Sequence, residues 1–186
     1  MKFTATRLPE VVLIEPTLFA DERGWFMESF SQQRFADGLA ALGLPPPRPF
    51  VQDNESSSAA GVLRGLHYQL PPHPQGKLVR VVQGAALDVA VDIRRGSPTF
   101  GQWVAETLSA ENRRQMWIPE GFAHGFWALE DDTRFVYKTT DFYAKACERA
   151  IRWDDPALGI AWPEGLTLRL AAKDSEAPLL DQAELF

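Results

Sequence analysis

Along Leu87-Asp-Val-Ala-Val-Asp-Ile93 the side chains alternate. Leu87, Val89, Val91 and Ile93 fall on one side of an extended chain, and Asp88, Ala90 and Asp92 on the other. A period of two residues is the signature of a β-strand. Arg95-Gly-Ser-Pro98 then reads as a turn and Gln102–Leu108 as the returning strand. Lys77–Gln83, Met116–Ile118, Arg134–Thr140 and Ala150–Trp153 are further runs of strand length with Gly or Pro close by. One segment has a different period: in Ser31–Leu42, Phe35, Leu39 and Leu42 share a helical stripe, Ser31 can cap its start, and Gly43 ends it. Leu44-Pro-Pro-Pro-Arg-Pro49 is a rigid loop rather than a domain boundary, because too little chain precedes it to build a core. Many short strands with turns between them predict an all-β antiparallel barrel or jelly roll with a few short helices, one domain over residues 1–186.

Composition narrows the partners. At 45% hydrophobic and 24% charged residues, the chain can bury a core and is not a disordered tail. Lys plus Arg number 19 against 25 Asp plus Glu, a net charge of −6 that repels a polyanion, so no nucleic-acid partner is expected. A local basic pocket for one small phosphate compound is compatible with that field. Cys147 is the single cysteine, which allows no intrachain disulfide and suits a reducing compartment. The N-terminal residues lack the apolar run of a secretory signal, and no stretch approaches the roughly 20 apolar residues of a membrane span. A soluble, cytoplasmic protein with no membrane contact is expected.

The chain has three histidines, His67, His73 and His124. No His-x-His, His-Glu-x-x-His or second cysteine accompanies them, which argues against a metal site. Glycine-rich nucleotide-cofactor motifs and Gly-x-Ser-x-Gly are absent too, so no cofactor is expected. Acid–base chemistry by ordinary side chains remains. Two stretches could carry it. Gly61-Val-Leu-Arg-Gly-Leu-His-Tyr-Gln69 sets Arg64 and His67 around Gly65, and Ile118-Pro-Glu-Gly-Phe-Ala-His-Gly-Phe126 sets His124 among glycines and aromatics, as in a tight turn lining a pocket. Taken singly, either histidine reads as a satisfied structural residue, Arg64 or Lys77 as a surface charge, and Tyr137 as a core aromatic with a hydrogen-bonded tip.

Together these residues resemble the dTDP-4-dehydrorhamnose 3,5-epimerases, cupin-type jelly rolls of nucleotide-sugar metabolism. The motifs are Asp21-Glu-Arg-Gly-Trp-Phe-Met-Glu28, Gln52-Asp-Asn54, Leu63-Arg-Gly-Leu-His-Tyr-Gln69, Gln75-Gly-Lys-Leu-Val-Arg80 and Asp88-Val-Ala-Val-Asp-Ile-Arg94. Ser97-Pro-Thr-Phe-Gly101, Ile118-Pro-Glu-Gly-Phe-Ala-His-Gly125, Tyr137-Lys138 and Lys173-Asp174 follow in the same order. Any one is weak; the ordered set, from about Phe19 to Pro178, is specific.

The resemblance implies His67 as general base, Asp174 as its partner and Tyr137 as general acid. It implies substrate contacts from Arg23, Glu28, Gln52, Asp53, Asn54 and Arg64, and from Lys77, His124, Glu148 and Lys173, with Tyr143 as a stacking aromatic. The implied substrate is dTDP-4-dehydro-6-deoxy-D-glucose, inverted at C3 and C5, and the implied assembly is a homodimer in which a residue such as Arg23 reaches the neighbouring site. Ala171-Ala172 stands where a serine is common, a change expected to alter local hydrogen bonding rather than chemistry. The competing expectations are an epimerase that inverts one centre of a related dTDP-keto-sugar, a ketoisomerase on the same substrate, and a non-catalytic cupin that binds a nucleotide sugar.

Overall fold

The computed structural model describes residues 1–186. The chain runs through β1 (Lys2–Ala5), β2 (Val12–Glu15), β3 (Leu18–Asp21), β4 (Gly24–Met27), α1 (Gln32–Ala41), β5 (Gln52–Ser58) and β6 (Leu63–Gln69). It continues through β7 (Lys77–Gln83), β8 (Ala85–Asp92), β9 (Trp103–Ser109), β10 (Gln115–Ile118), β11 (Phe122–Ala128), β12 (Thr133–Thr139), β13 (Glu148–Ala150) and α2 (Ala172–Ser175). A six-stranded sheet, β1-β2-β10-β7-β12-β5, packs against a five-stranded sheet, β13-β6-β11-β8-β9. Neighbouring strands are antiparallel throughout both. This is the expected jelly roll of the cupin type.

Three buried apolar clusters hold the layers. The first fills the space between the sheets, where the Phe126 and Phe135 rings stack at 4.1 Å. The second lies on the far face of the five-stranded sheet, where Leu66, Tyr68, Val89, Val91 and Ile93 meet Leu158, Leu180 and Ala183 of the C-terminal segment. In the third, Phe35 and Leu39 of α1 cover Val12, Leu78 and Trp117 on the outside of the six-stranded sheet. The helix ends as its sequence dictates. Ser31 Oγ accepts from the Arg34 amide, and Gly43, at φ +74°, closes a Schellman turn through Gly43 N to Ala40 O and Leu44 N to Leu39 O. Truncating Leu39 to alanine would remove about 2–5 kcal/mol.

Burial on both faces explains the β8 pattern. The apolar set lies under the C-terminal segment, whereas Ala86, Asp88 and Ala90 face the space between the sheets. The polar side of this strand is therefore the inner one. The strand expected at Ala150–Trp153 is instead β13, Glu148–Ala150, and the chain turns through Trp153 to bring Asp155 beneath the tail.

Candidate active site

A cleft of about 500 Å3 opens between the sheets. Its first wall depends on an irregular strand pairing. His67 lies opposite His124, but the next register pair sets Arg64 opposite Phe126, so three steps on β6 match two on β11. That extra residue is a β-bulge. In a regular strand, residues three apart point to opposite faces; here Arg64 and His67 both line the cleft. Gly65 permits it, at φ +139° and with any Cβ placed 2.5 Å from the Gly125 Cα. His124, expected in a tight turn, sits instead in the middle of β11, where every residue is buried. Its glycine neighbour serves strand packing: a Cβ on Gly125 would lie 2.8 Å from Arg64 O.

Two histidine–aspartate pairs result. His67 Nε2 is 2.6 Å from Asp174 Oδ1, the ring partly open to the cleft and the carboxylate buried. His124 Nε2 is 2.7 Å from Asp88 Oδ1, with both groups buried. Burial pushes the Asp88 carboxyl above its ordinary range, opposed by the His124 and Lys77 charges. Asp88 Oδ2 is buried and has no hydrogen-bond partner. Asp88 was not foreseen as a site residue; the available signal was a carboxylate sharing its strand face with alanines.

The second wall is the six-stranded sheet, which contributes Lys77 from β7 and Tyr137 from β12. Lys77 is no surface charge. Burial pulls its ammonium down to about 8, against the upward pull of Asp88 and Glu148. Burial also raises the Tyr137 hydroxyl, with Glu148 adding and the Arg64 and Lys173 charges opposing. His67 and Tyr137 thus stand on facing sheets.

The rim carries charge. Glu148 accepts from Lys173 Nζ at 3.1 Å and from Tyr143 Oη at 2.9 Å. Burial would raise its carboxyl, but those two bonds and the Lys173 and His67 charges bring it below the usual range. Arg64 is braced by Ser58 Oγ at 3.2 Å and Ser57 O at 3.3 Å, a use for the serine run of β5. Gln75 and Arg169 also line the cleft and were not foreseen. Ala171, at the start of α2, gives the helix no side-chain cap.

Some expected residues lie elsewhere. Arg23 sits on the exposed β3–β4 hairpin with its guanidinium against Asp21. Glu28 lies 3.3 Å from Arg34, and Asp53 pairs outward with Lys138 at 2.9 Å. Gln52 bridges Asn54, at 2.8 Å, and the Tyr143 amide, at 3.1 Å, so this pair braces the rim without lining the cleft. Within this chain, then, Arg23, Glu28, Gln52, Asp53 and Asn54 are not part of the cleft. The first two belong to segments that leave the body of the two sheets.

Fold and lumen together define a cupin-type jelly roll equipped for proton transfer and anion binding. The sequence profile of the dTDP-4-dehydrorhamnose 3,5-epimerases matches residues 5–182. The enzyme of that name from Pseudomonas aeruginosa is 54% identical over 186 residues, covering 100% of this chain and 99% of its own length. Its counterpart from Shigella flexneri is 53% identical, again over 100% and 99% of the two chains. A 3,5-epimerase from Legionella pneumophila, solved with dTDP-4-keto-L-rhamnose, superposes with a TM-score of 0.91 at 50% identity, covering 98% of this chain and 94% of that one. A 3'-monoepimerase from Streptomyces bikiniensis, solved with dTDP-quinovose, gives 0.86 at 37% identity over 97% and 88%. The chain belongs to the dTDP-4-dehydrorhamnose 3,5-epimerase family and is an isomerase-class epimerase. No helix is long and apolar enough to cross a membrane.

Proposed function

We propose that the protein inverts C3 and C5 of dTDP-4-dehydro-6-deoxy-D-glucose to give dTDP-4-dehydro-L-rhamnose, without a redox cofactor. The observation that carries this is His67 on one sheet, held by Asp174 of the C-terminal tail, facing Tyr137 on the other sheet, with buried Lys77 in the same cleft. The C4 ketone acidifies the hydrogens on both flanking carbons. His67 removes one of these protons, and the bonding electrons move onto the C4 oxygen as an enolate. An imidazole suits that task because its ordinary pKa of about 6.5 lies near working pH. Asp174 orients the ring and stabilises the imidazolium. Lys77 and His124 supply the positive and donor groups for the enolate oxygen, in a buried setting where such contacts are strongest. Tyr137 returns a proton to the same carbon from the facing wall, which inverts it; exchange with solvent then resets imidazolium and phenolate. Arg64 and Lys173 hold the diphosphate.

Proton NMR of the substrate in heavy water tests the assignment. Deuterium entering both C3 and C5 supports it; entry at one carbon makes the protein a monoepimerase, the activity named for the Streptomyces bikiniensis neighbour; no entry at either makes it a binder.

The assembly proposed is a homodimer. Leu18, Phe19, Trp25 and Phe26 on the β3–β4 hairpin are 41% to 68% exposed, an apolar surface large enough to ask for a cover. The hairpin also carries Arg23, which a second copy would bring to the neighbouring cleft. Light scattering checks this: a monomer that retains full activity rules it out.

A further inference from the structure

Asp174 is carried by the C-terminal tail, outside both sheets, on a helix of only four residues. Something must hold its carboxylate 2.6 Å from a ring on β6. Upstream, Arg169 exchanges backbone bonds with the entry to β6: Leu63 N to Arg169 O at 3.0 Å and Arg169 N to Gly61 O at 2.9 Å. Downstream, the tail is gripped at several points, Arg95 N to Phe186 O at 3.1 Å and Arg149 to Glu184 at 2.9 Å among them. Arg152 N donates to Pro178 O at 2.8 Å, Leu180 N to Asp155 Oδ2 at 2.6 Å, and Tyr68 Oη to Glu184 O at 2.7 Å.

The segment that grips is itself fixed beside His67. Ala150 lies opposite His67, and Ile151 and Leu66 exchange backbone bonds of 2.9 and 3.1 Å. A closed circuit therefore runs from His67 through Ile151, Asp155 and Leu180 back to Asp174. Asp155 is the unusual link. It is 3% exposed, pairs with no cation, and is satisfied by backbone amides alone. Its Oδ1 accepts from Ala157 N at 2.8 Å, the local turn that aspartates make in many loops. Its Oδ2 bond reaches 25 residues ahead and has no local purpose. A carboxylate hidden from water is destabilising unless its acceptors are filled, and here the second acceptor is filled only if the tail is in place.

We infer that Asp155 is a positioning residue, which fixes the tail so that Asp174 meets His67. The inference rests on the role proposed above for that pair. Asp155→Asn is nearly isosteric but turns an NH2 toward one of the two amides. It should lower kcat about tenfold or more with KM within about twofold, the range seen when an orienting partner or about 1 Å of geometry is lost. Added to Asp174→Ala it should cost nothing further, because the two act as one unit. Proton NMR gives a readout independent of turnover. The downfield ring proton of the His67–Asp174 bond should broaden or move upfield, while that of His124–Asp88 stays as an internal reference. Asp155→Ser, whose hydroxyl can keep the local turn to Ala157 N but cannot also reach Leu180 N, removes the long-range bond alone and decides the matter if the asparagine variant fails to fold; the same changes are expected. Wild-type kcat with an unmoved downfield proton overturns the inference even if the melting temperature falls, and so does full multiplication with Asp174→Ala. Should Asp174→Ala itself keep wild-type kcat, the pair's catalytic role is what fails, and the NMR signal alone then decides whether Asp155 positions it.

Discussion

The two histidine–aspartate pairs of the site have nearly the same bond, 2.6 Å and 2.7 Å, and are built in contrasting ways. His124 and Asp88 come from adjacent strands of one sheet, 36 residues apart, with register and burial fixed by the ladder. His67 and Asp174 are 107 residues apart and join a strand to an irregular tail. The first pair is sealed, its aspartate beside a buried ammonium; the second opens its ring to the cleft. On the roles proposed above, the contrast separates two tasks. A group that only polarises a fixed oxygen gains from a rigid, dry setting, where electrostatic contacts are strongest. A base that must give up and take back protons needs access to substrate and solvent.

The largest break in this comparison comes from the histidines themselves. His67→Ala should lose deuterium exchange and inversion together by about 10²–10⁴-fold, because no enolate forms. His124→Ala, with Lys77 still in place, should lose less of both. Equal losses measured in heavy water would erase the division of labour. Tyr137→Phe comes next. The base side is untouched, so the variant should wash deuterium into C3 or C5 faster than it forms inverted sugar. Loss of exchange as complete as in His67→Ala would give Tyr137 a part in binding or enolate formation instead.

Stability should reverse the order of the aspartates. Asp88→Ala strands a buried imidazole and a buried ammonium, and removing one partner of such a group costs about 3 kcal/mol or more. Asp174→Ala leaves a ring that water can reach, about 1 kcal/mol. Denaturant titration of both variants should show Asp88→Ala as the weaker fold, while turnover shows Asp174→Ala as the greater loss at the base.

How much of this could be read from residues alone follows the same line. Period-two patterning located β8, the turn after it located β9, and runs of strand length beside Gly or Pro located β7, β10 and β12, all to within a residue or two, and Ser31 and Gly43 bounded α1, because local chemistry decides those. Parity could not place Arg64 and His67 on one face, since the bulge at Gly65 exists only in the pairing of two strands. The pairing of His67 with Asp174 came from family resemblance, and no spacing rule would have supplied it. Asp88 was overlooked because an aspartate on the polar side of a strand normally faces water, and here the tail covers the apolar side instead. Arg23 and Glu28 lie off this chain's cleft, on and just after the β3–β4 hairpin, and the homodimer proposed above is what would carry Arg23 to a neighbouring cleft.

The smallest expected effect concerns pH and tests whether the sealed pair serves Lys77. Asp88 from β8 and Glu148 from β13 pull upward on that ammonium, and His67 from β6, His124 from β11 and Tyr137 from β12 line the same cleft. Burial has already brought Lys77 down to about 8, so its charge is present below that pH and lost above it. Activity measured as kcat/KM should therefore fall as pH rises through about 8. The Tyr137 hydroxyl is raised from its ordinary value, so its own limb lies at higher pH and does not obscure this one. Lys77→Arg, whose charge persists, should remove the limb near 8 at whatever activity remains. Asp88 holds the Lys77 proton on, so Asp88→Asn should move the limb to lower pH. Asp174→Asn should leave it in place, because the charges that hold the Lys77 proton on are those of Asp88 and Glu148. A limb that moves equally in both asparagine variants would mean that the two pairs are one coupled network rather than two devices.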